Sequence, residues 1–347
     1  MSGPGKGAAG SGPASAPDAK GSSFVRRVVM AVLLAVPVYG AFAVWSGLGK
    51  LGSALAHFEW WTFGAGCALA LGSYLTRWFK WEFYLARLGI KGIPKADSFY
   101  TFLSGFVLTV TPGKVGEVFK SVLLFQTHGV PVPRTAPIVI AERLTDVIGV
   151  VVLVALGSLG LKGGLLWAGL GTTAVVVLLA VVASKRLSYA IIALVERLPA
   201  LRRIGPKLHE AYDSLATMVR PANLIFPAAL SIFAWSLECG SLWIMLRGFG
   251  EHTPLGLATF FYATSTLAGA LIPVPGGLGI TETSLQGQMQ EIGHVPASVS
   301  TGAMILVRFA TLWFAVIVGF VALSMLRRRH PYLLGGPAAA AETSTAE

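Results

Sequence analysis

Long apolar runs separated by short polar segments fill the chain between residues 24 and 330. A helix that crosses about 30 Å of hydrocarbon needs roughly 20 apolar residues, because each residue advances the helix by about 1.5 Å. Six runs meet that length, and they predict spans at 28–47, 62–81, 137–157, 165–183, 222–247 and 298–326. The predicted fold is therefore an all-α polytopic membrane protein with about six full spans in one transmembrane domain.

Two further apolar segments, 99–126 and 255–292, are interrupted in the middle. The breaks fall at Pro112-Gly113 in the first segment and at Pro273, Pro275, Gly276 and Gly277 in the second. Proline and glycine end helices, and the apolar pieces that remain are short for a full crossing. Each segment is therefore predicted to be a re-entrant helical hairpin.

The two hairpins carry related sequence blocks, TPGKVGEVFKSVLLFQTHGVP and PVPGGLGITETSLQGQMQEIGHVP. Each contains Pro-Gly-x-x-Gly, carries a glutamate just after it, and is followed by an apolar helix with one arginine. Glu117 and Glu282 are 165 positions apart, and so are Arg143 and Arg308. A shared offset at polar positions indicates an internal duplication, which is how many transporters build a site at the bilayer midplane.

The distribution of positive charge predicts the orientation. With both hairpins re-entrant, the 27 Lys and Arg residues divide into 19 on one side, three on the other and five at membrane depth. The basic side is cytoplasmic by the positive-inside rule, so both termini are cytoplasmic. The repeats, about 62–157 and 222–326, are then inverted. The basic loop 184–221 is predicted to hold an amphipathic helix on the inner surface, with a partner or regulatory site as the alternative.

Composition agrees with a membrane protein: 54% of the residues are hydrophobic and 12% are charged. The net charge of +11 is assigned to loops that face anionic lipid, and no nucleic-acid partner is expected. Residues 1–23 and 331–347 are predicted to be disordered cytoplasmic tails. Cys67 and Cys239 lie in apolar runs, and no Cys/His spacing or Walker motif is present, so no metal or cofactor is expected.

Ten charged side chains fall at membrane depth, where each costs roughly 2.5–3.5 kcal/mol unless it is paired or used. They are Arg77, Lys114, Lys120, Arg143, Arg308, Glu117, Glu142, Asp146, Glu238 and Glu282. Helical spacing lets Asp146 contact Glu142 or Arg143. The repeat predicts two pairs, Glu117–Arg143 and Glu282–Arg308. A purely structural role for these pairs is the alternative to headgroup binding or gating.

Three further expectations concern single side chains. Arg77 and Lys80 end their span, so they are expected to snorkel to the cytoplasmic interface. Lys120 follows Glu117 by three residues and is expected to pair with it. No nucleophile–base arrangement stands out, so the protein is not expected to be an enzyme.

The second helix of each hairpin begins at Pro-Gly, where unpaired N–H groups and the helix dipole favour an anion. The predicted substrate site comprises Pro112, Gly113, Lys114, Gly116, Glu117, Lys120, Arg143, Pro275, Gly276, Gly277, Gly279, Glu282 and Arg308. Arg77, Glu142 and Asp146 are predicted to form supporting ion pairs. The alternative is that the Pro-Gly motifs are only hairpin tips.

At PGKVGEVFKSVLL, AERLTD and PVPGGLGITE the chain resembles the membrane domain of lysylphosphatidylglycerol synthases, a flippase-like family of UPF0104-type membrane proteins. The resemblance covers roughly 28–326. The family pattern often has arginine where this chain has Lys114 and Lys120, so bidentate phosphate binding would be lost there. The resemblance implies a stand-alone member, without the aminoacyl transferase domain, in the bacterial inner membrane.

Two functions follow as hypotheses. The first is translocation of a polar lipid, of the phospholipid or polyprenyl-phosphate type, by alternating access of the inverted repeats. The alternative is a non-transporting component that holds or delivers lipid to a separate enzyme of envelope lipid, hopanoid or lipid-linked glycan metabolism. The sequence leaves the lipid, the direction, the energy coupling and the oligomeric state open.

Overall fold

The computed structural model describes residues 48–111, 117–161, 205–272 and 274–334, together with residues 166, 169 and 173. Regular secondary structure in these ranges is helical throughout. The predicted span 28–47 and the predicted tail 1–23 lie outside the described residues. So do nearly all of the predicted span 165–183 and residues 335–347 of the predicted C-terminal tail.

Twelve α-helices are described in these ranges. In chain order they are α1 Leu48–Ala56, α2 Trp60–Arg87, α3 Lys95–Ser104, α4 Phe119–His128, α5 Val132–Thr135, α6 Pro137–Ser158, α7 Gly205–Met218, α8 Pro221–Gly248, α9 Leu255–Leu271, α10 Ile280–Glu291, α11 Ala297–Arg308 and α12 Phe314–Arg329. Short 3-10 turns lie at Gly105–Leu108 and Pro275–Gly277, and a π-helical segment at Phe309–Trp313 joins α11 to α12.

Four predicted spans correspond to long helices. Two stretches, Ala222–Gly248 and Ala297–Arg329, are long and apolar enough to cross a membrane. Helices α2 and α6 have 28 and 22 residues, which gives lengths of about 42 and 33 Å. Both helices carry buried charged side chains, and Arg77 and Lys80 of α2 contact Asp146 of α6 in the protein interior.

The predicted break at Pro112-Gly113 lies outside the described residues. Before it, α3 is followed by a 3-10 turn at Gly105–Leu108, and after it α4 begins at Phe119. The predicted break in the second segment is present. In the second segment α9 ends at Leu271, and Gly276, Gly277 and Gly279 take positive φ angles of 63°, 67° and 86°. Glycine adopts such angles without a steric penalty, so α10 starts in a new direction.

Helices α2 and α8 pack along most of their lengths and run antiparallel. As positions advance along α2, their partners recede along α8, in the hydrogen-bonded pairs Gly66–Ser241, Ser73–Glu238 and Lys80–Ser231. These are the first long helices of the two predicted repeats. The two halves of the molecule therefore meet through corresponding helices.

The last long helix of each half packs against the first hairpin helix of the other half. A Cβ at Gly157 in α6 would lie 2.7 Å from the carbonyl oxygen of Gly256 in α9. A Cβ at Gly319 in α12 would lie 2.7 Å from the backbone nitrogen of Val107, just after α3. Glycine permits this backbone approach in both places, so the halves interlock reciprocally.

The end of α12 is tied to the first hairpin through Asp97. Arg329 Nε donates to Asp97 Oδ1 at 2.6 Å, and His128 and His330 face the other carboxylate oxygen. Burial opposes ionisation of Asp97, but the hydrogen bonds from Arg329 and His330 outweigh it and lower its pKa. Burial lowers the pKa of the His128 imidazole. Leu333 is buried beside this junction.

Helix α7 lies within the segment 184–221 that was predicted to be amphipathic. Its Tyr212 and Met218 are buried, whereas Asp213 is exposed. The helix packs against α5 and α6. The apolar side of α7 therefore faces the protein.

Candidate functional site

A cavity of about 320 Å³ lies between the two halves. Its wall combines apolar side chains with threonines and the charged side chains Arg77, Glu117, Arg143, Asp146, Glu238 and Arg308. The first half supplies α2, α6 and residues around the first break. The second half supplies α8, α9, the second break and the π segment. The volume is within the usual range for small-ligand sites.

One wall is a buried network that crosses three helices. Arg77 on α2 donates to Asp146 on α6 at 2.9 Å and to Glu238 on α8 at 3.1 Å. Lys80 donates to the other oxygen of Asp146 at 2.7 Å and to Ser231 at 2.8 Å. The expectation that Arg77 and Lys80 snorkel to the interface is therefore wrong. Buried charges of opposite sign offset each other's desolvation, which explains why polar residues are tolerated here.

Glu238 is a member of this network that the predicted site omitted. Its Oε1 accepts from Ser73 at 2.9 Å, and its Oε2 accepts from Tyr262 at 3.1 Å. The Arg77 guanidinium also stacks on the Trp235 ring, 4.5 Å from its centre. One feature of the sequence indicates that Glu238 belongs to the network: it is a carboxylate at membrane depth, 165 positions after Ser73.

Both glutamate–arginine pairs that the repeat predicted are present. Arg143 donates to Glu117 Oε2 at 3.0 Å, and Arg308 donates to Glu282 Oε1 at 2.6 Å. Arg143 also lies 3.2 Å from Asp146, as helical spacing predicted. The repeated sequence pattern is therefore matched by equivalent side-chain contacts.

The two pairs nevertheless differ in what surrounds them. Arg308 also donates to the carbonyl oxygen of Gly276 at 2.7 Å, and its side chain is 9% exposed. Glu282 is fully buried and accepts the backbone N–H of Gly279 at 2.7 Å. The Arg143 side chain is 31% exposed and lines the cavity. The Glu282–Arg308 pair thus holds the backbone at the second break, whereas the Glu117–Arg143 pair borders the cavity.

The carboxylate of Glu282 lies where an anionic ligand was expected at the start of α10. Gly276 and Gly277 line the cavity, whereas Pro275, Gly279 and Glu282 are not part of its wall. The remaining residues of the predicted site, Pro112, Gly113, Lys114 and Gly116, lie outside the described residues.

Lys120 and Glu142 form a separate buried ion pair. Lys120 was expected to pair with Glu117, but among the described residues its ion-pair partner is Glu142. Glu117 pairs with Arg143 instead. Lys120 also lies 4.8 Å from the Trp81 ring centre. Beside this pair is a second, smaller space of about 10 Å³, which is about enough for one water.

Arg143 is the arginine of the cavity best placed to bind a ligand. It is more exposed than Arg77 or Arg308. Its Nε atom is buried, so a ligand would meet the exposed part of the guanidinium. A guanidinium suits the bidentate recognition of a phosphate or carboxylate.

Comparison with known proteins gives the family. The sequence profile described as "Lysylphosphatidylglycerol synthase TM region" matches residues 28–319. A protein named "UPF0104 membrane protein" from Methanothermobacter thermautotrophicus is 21% identical over 315 residues, covering 81% of this chain and 88% of the relative. A second protein of the same name and organism is 26% identical over 123 residues, covering 35% of this chain and 36% of the relative.

Both relatives are named as membrane proteins. The profile match covers most of the chain, including both interruptions and both glutamate–arginine pairs. The chain therefore belongs to the family of the lysylphosphatidylglycerol synthase TM region and is a membrane protein of that family.

Proposed function

We propose that this protein moves a polar, phosphate-bearing lipid across the bacterial inner membrane. The observation that carries the proposal is the cavity between the two halves, in which Arg143 is 31% exposed among otherwise buried charges. A headgroup phosphate would bind Arg143 inside the cavity, and the lipid chains would stay in the bilayer.

The arrangement of the halves supports alternating access. Helices α2 and α8 are antiparallel, and each half's last long helix packs on the other half's hairpin. Two inverted halves with equivalent contacts can exchange conformations, which gives two states of similar energy. A cavity between them would then open to each side of the membrane in turn.

Arg143 can turn from Asp146 to a ligand without leaving Asp146 unpaired. In the structure it contacts Glu117 and Asp146. Asp146 retains Arg77 and Lys80 when Arg143 turns to a ligand. A phosphate would therefore compete with two carboxylates, and these carboxylates would take Arg143 back on release. Such exchange keeps binding reversible, as transport requires.

The rim of the cavity favours a ligand with an apolar part. Ile272 lines the cavity and is 50% exposed, and the adjacent Leu271 is 77% exposed. These side chains lie at the end of α9, beside the second break. An acyl or prenyl chain could follow this apolar rim into the bilayer while the headgroup stays near Arg143.

The test is transport in proteoliposomes with labelled phosphatidylglycerol, aminoacylated phosphatidylglycerol, cardiolipin and polyprenyl phosphate. The readout is the fraction of each headgroup that becomes accessible on the opposite face. Arg143→Gln should reduce movement roughly 10- to 100-fold, because a hydrogen bond to a charged group is worth about 1.5–3 kcal/mol. Arg143→Lys should retain part of the activity, because the charge remains. Arg328→Gln, at an exposed arginine on α12, is the matched control.

Two outcomes would count against the proposal. Full transport by Arg143→Gln would remove Arg143 from the site. Saturable binding of one lipid without movement by the wild-type protein, under an imposed proton gradient, would favour the hypothesis that the protein holds or delivers lipid to a partner enzyme.

A further inference from the structure

Three potential metal ligands converge where α3, α4 and the end of α12 meet. They are Asp97, His128 and His330, and one ligand atom of each lies within 4.8 Å of the others. Their side chains are between 5% and 17% exposed, so the cluster is sheltered but reachable from solvent. None of the three lines the cavity between the halves. The cluster is therefore independent of the proposed lipid site.

Thr127 lies beside the His128 ring. Thr127 Oγ1 donates to the carbonyl oxygen of Leu123 at 2.8 Å and lies 2.8 Å from His128 Nδ1. In the tautomer in which Nδ1 carries the hydrogen and Thr127 Oγ1 accepts it, Nε2 has a lone pair that can bind a metal. His128 Nε2 lies 3.4 Å from Asp97 Oδ2.

A metal ion here would take the place of the imidazole hydrogen between His128 Nε2 and Asp97 Oδ2, because both atoms can act as metal ligands. His330 brings a second imidazole nitrogen to the same carboxylate oxygen, at 3.1 Å. Tetrahedral zinc has bonds of about 2.0–2.1 Å, so its ligand atoms are about 3.3 Å apart. The separations of 3.4 and 3.1 Å lie on either side of that value.

The surroundings match those of a metal site in two other respects. His330 Nδ1 lies 3.1 Å from the Tyr332 hydroxyl, so the outer nitrogen of each ring has a hydroxyl partner. Such partners orient metal-binding imidazoles. Arg329 holds Asp97 Oδ1 at 2.6 Å, which leaves Oδ2 to face the rings.

We propose that Asp97, His128 and His330 bind a divalent transition metal of the zinc type, through one carboxylate oxygen and two imidazole nitrogens. No sequence motif predicted this site, because its three ligands are far apart in the sequence. Three protein ligands leave a coordination position for water or a small anion. The metal would join α12 to the first hairpin, and so restrain the contact between the two halves.

The experiment uses full-length protein purified through a tag without histidine, stripped with a chelator and held in detergent. Zn²⁺ is titrated by calorimetry, and Co²⁺ is added to record its ligand-field absorption. We expect one metal per chain and the absorption of tetrahedral cobalt. His128→Gln and His330→Gln should each abolish both signals, while His252→Gln, at an exposed histidine elsewhere, should leave them unchanged.

A subtler variant separates the site from adventitious binding by histidine. Thr127→Val keeps all three ligands but removes the hydroxyl that lies 2.8 Å from His128 Nδ1. We expect zinc affinity to fall about 10- to 100-fold, the usual effect of losing such a partner. Absence of stoichiometric binding by the wild-type protein, or equal binding by His128→Gln, would overturn the proposal whether or not the protein transports lipid.

Discussion

Ser73 Oγ donates a 2.9 Å hydrogen bond to Glu238 Oε1, and the two residues are 165 positions apart. The same offset separates Glu117 from Glu282. If an axis relates the two halves, as the proposed duplication requires, equivalent positions contact each other only near that axis. Under that proposal the Ser73–Glu238 contact lies near the axis, between α2 and α8. The halves differ there, because one contributes a hydroxyl and the other a carboxylate.

The two glutamates of the repeat should respond differently to neutralisation. Glu117→Gln should slow lipid movement about 10-fold or more with little loss of stability, because Arg143 is 31% exposed and retains Asp146. Glu282→Gln should lower the thermal unfolding midpoint, since Glu282 is fully buried and holds both Arg308 and the Gly279 N–H. Transport and unfolding are measured on the same preparations. Equal effects on both readouts would argue that the pairs are equivalent.

Asp146 should be important for stability. It accepts hydrogen bonds from Arg77, Lys80 and Ser231. Asp146→Asn leaves buried cations poorly compensated, so we expect a loss of about 3–5 kcal/mol in the free energy of unfolding. Denaturant unfolding in detergent measures it. Asp213→Asn, at an exposed aspartate, should change stability by less than about 0.5 kcal/mol; similar values for the two variants would contradict the network's role.

The reciprocal packing of the halves can be tested at a glycine. Gly157→Ala would place a Cβ 2.7 Å from the Gly256 carbonyl oxygen, so α6 and α9 must separate. We expect destabilisation of about 1–3 kcal/mol, the usual cost of overpacking. The matched change Gly64→Ala meets no atom within 4 Å and should be neutral or stabilising, because alanine favours helix. An unchanged free energy of unfolding for Gly157→Ala would show that α6 and α9 are not closely packed at this point.

The proposed inverted repeat predicts the side of the membrane on which each loop lies. Lys91 follows α2 and His252 follows α8, and both side chains are exposed. In a background where Cys67 and Cys239 are alanine, Lys91→Cys should react with a membrane-impermeant maleimide from the cytoplasmic side alone. His252→Cys should react from the opposite side alone. Labelling of both cysteines from the same side would rule out an inverted repeat.

Sequence reasoning located most elements for a simple physical reason. Apolar runs of about 20 residues must become helices in lipid, because each backbone polar group needs a partner within its own segment. The predicted spans 62–81 and 137–157 therefore correspond to α2 and α6. The offset of 165 also predicted the pairs of Arg143 and Arg308, because a repeat that is conserved in chemistry is conserved in contacts.

Sequence reasoning failed where the partner of a side chain depends on which helices are neighbours. Arg77 lies close enough to the end of its span to snorkel, and only the approach of α6 and α8 turns it inward to Asp146 and Glu238. Lys120 has a carboxylate three residues before it, yet Glu142 is the partner that the packing presents. Local spacing could not reveal either contact.

The sequence was enough to predict the described helices, the break at Pro273 to Gly277, and the glutamate–arginine pair within each half. Those features follow from apolar run length, from proline and glycine, and from a repeated chemical pattern. The packing of the helices places Arg143, with 31% of its side chain exposed, at the cavity and holds Arg308 at the Gly276 carbonyl. It also brought Asp97, His128 and His330 together, because contacts between distant segments depend on how the helices pack.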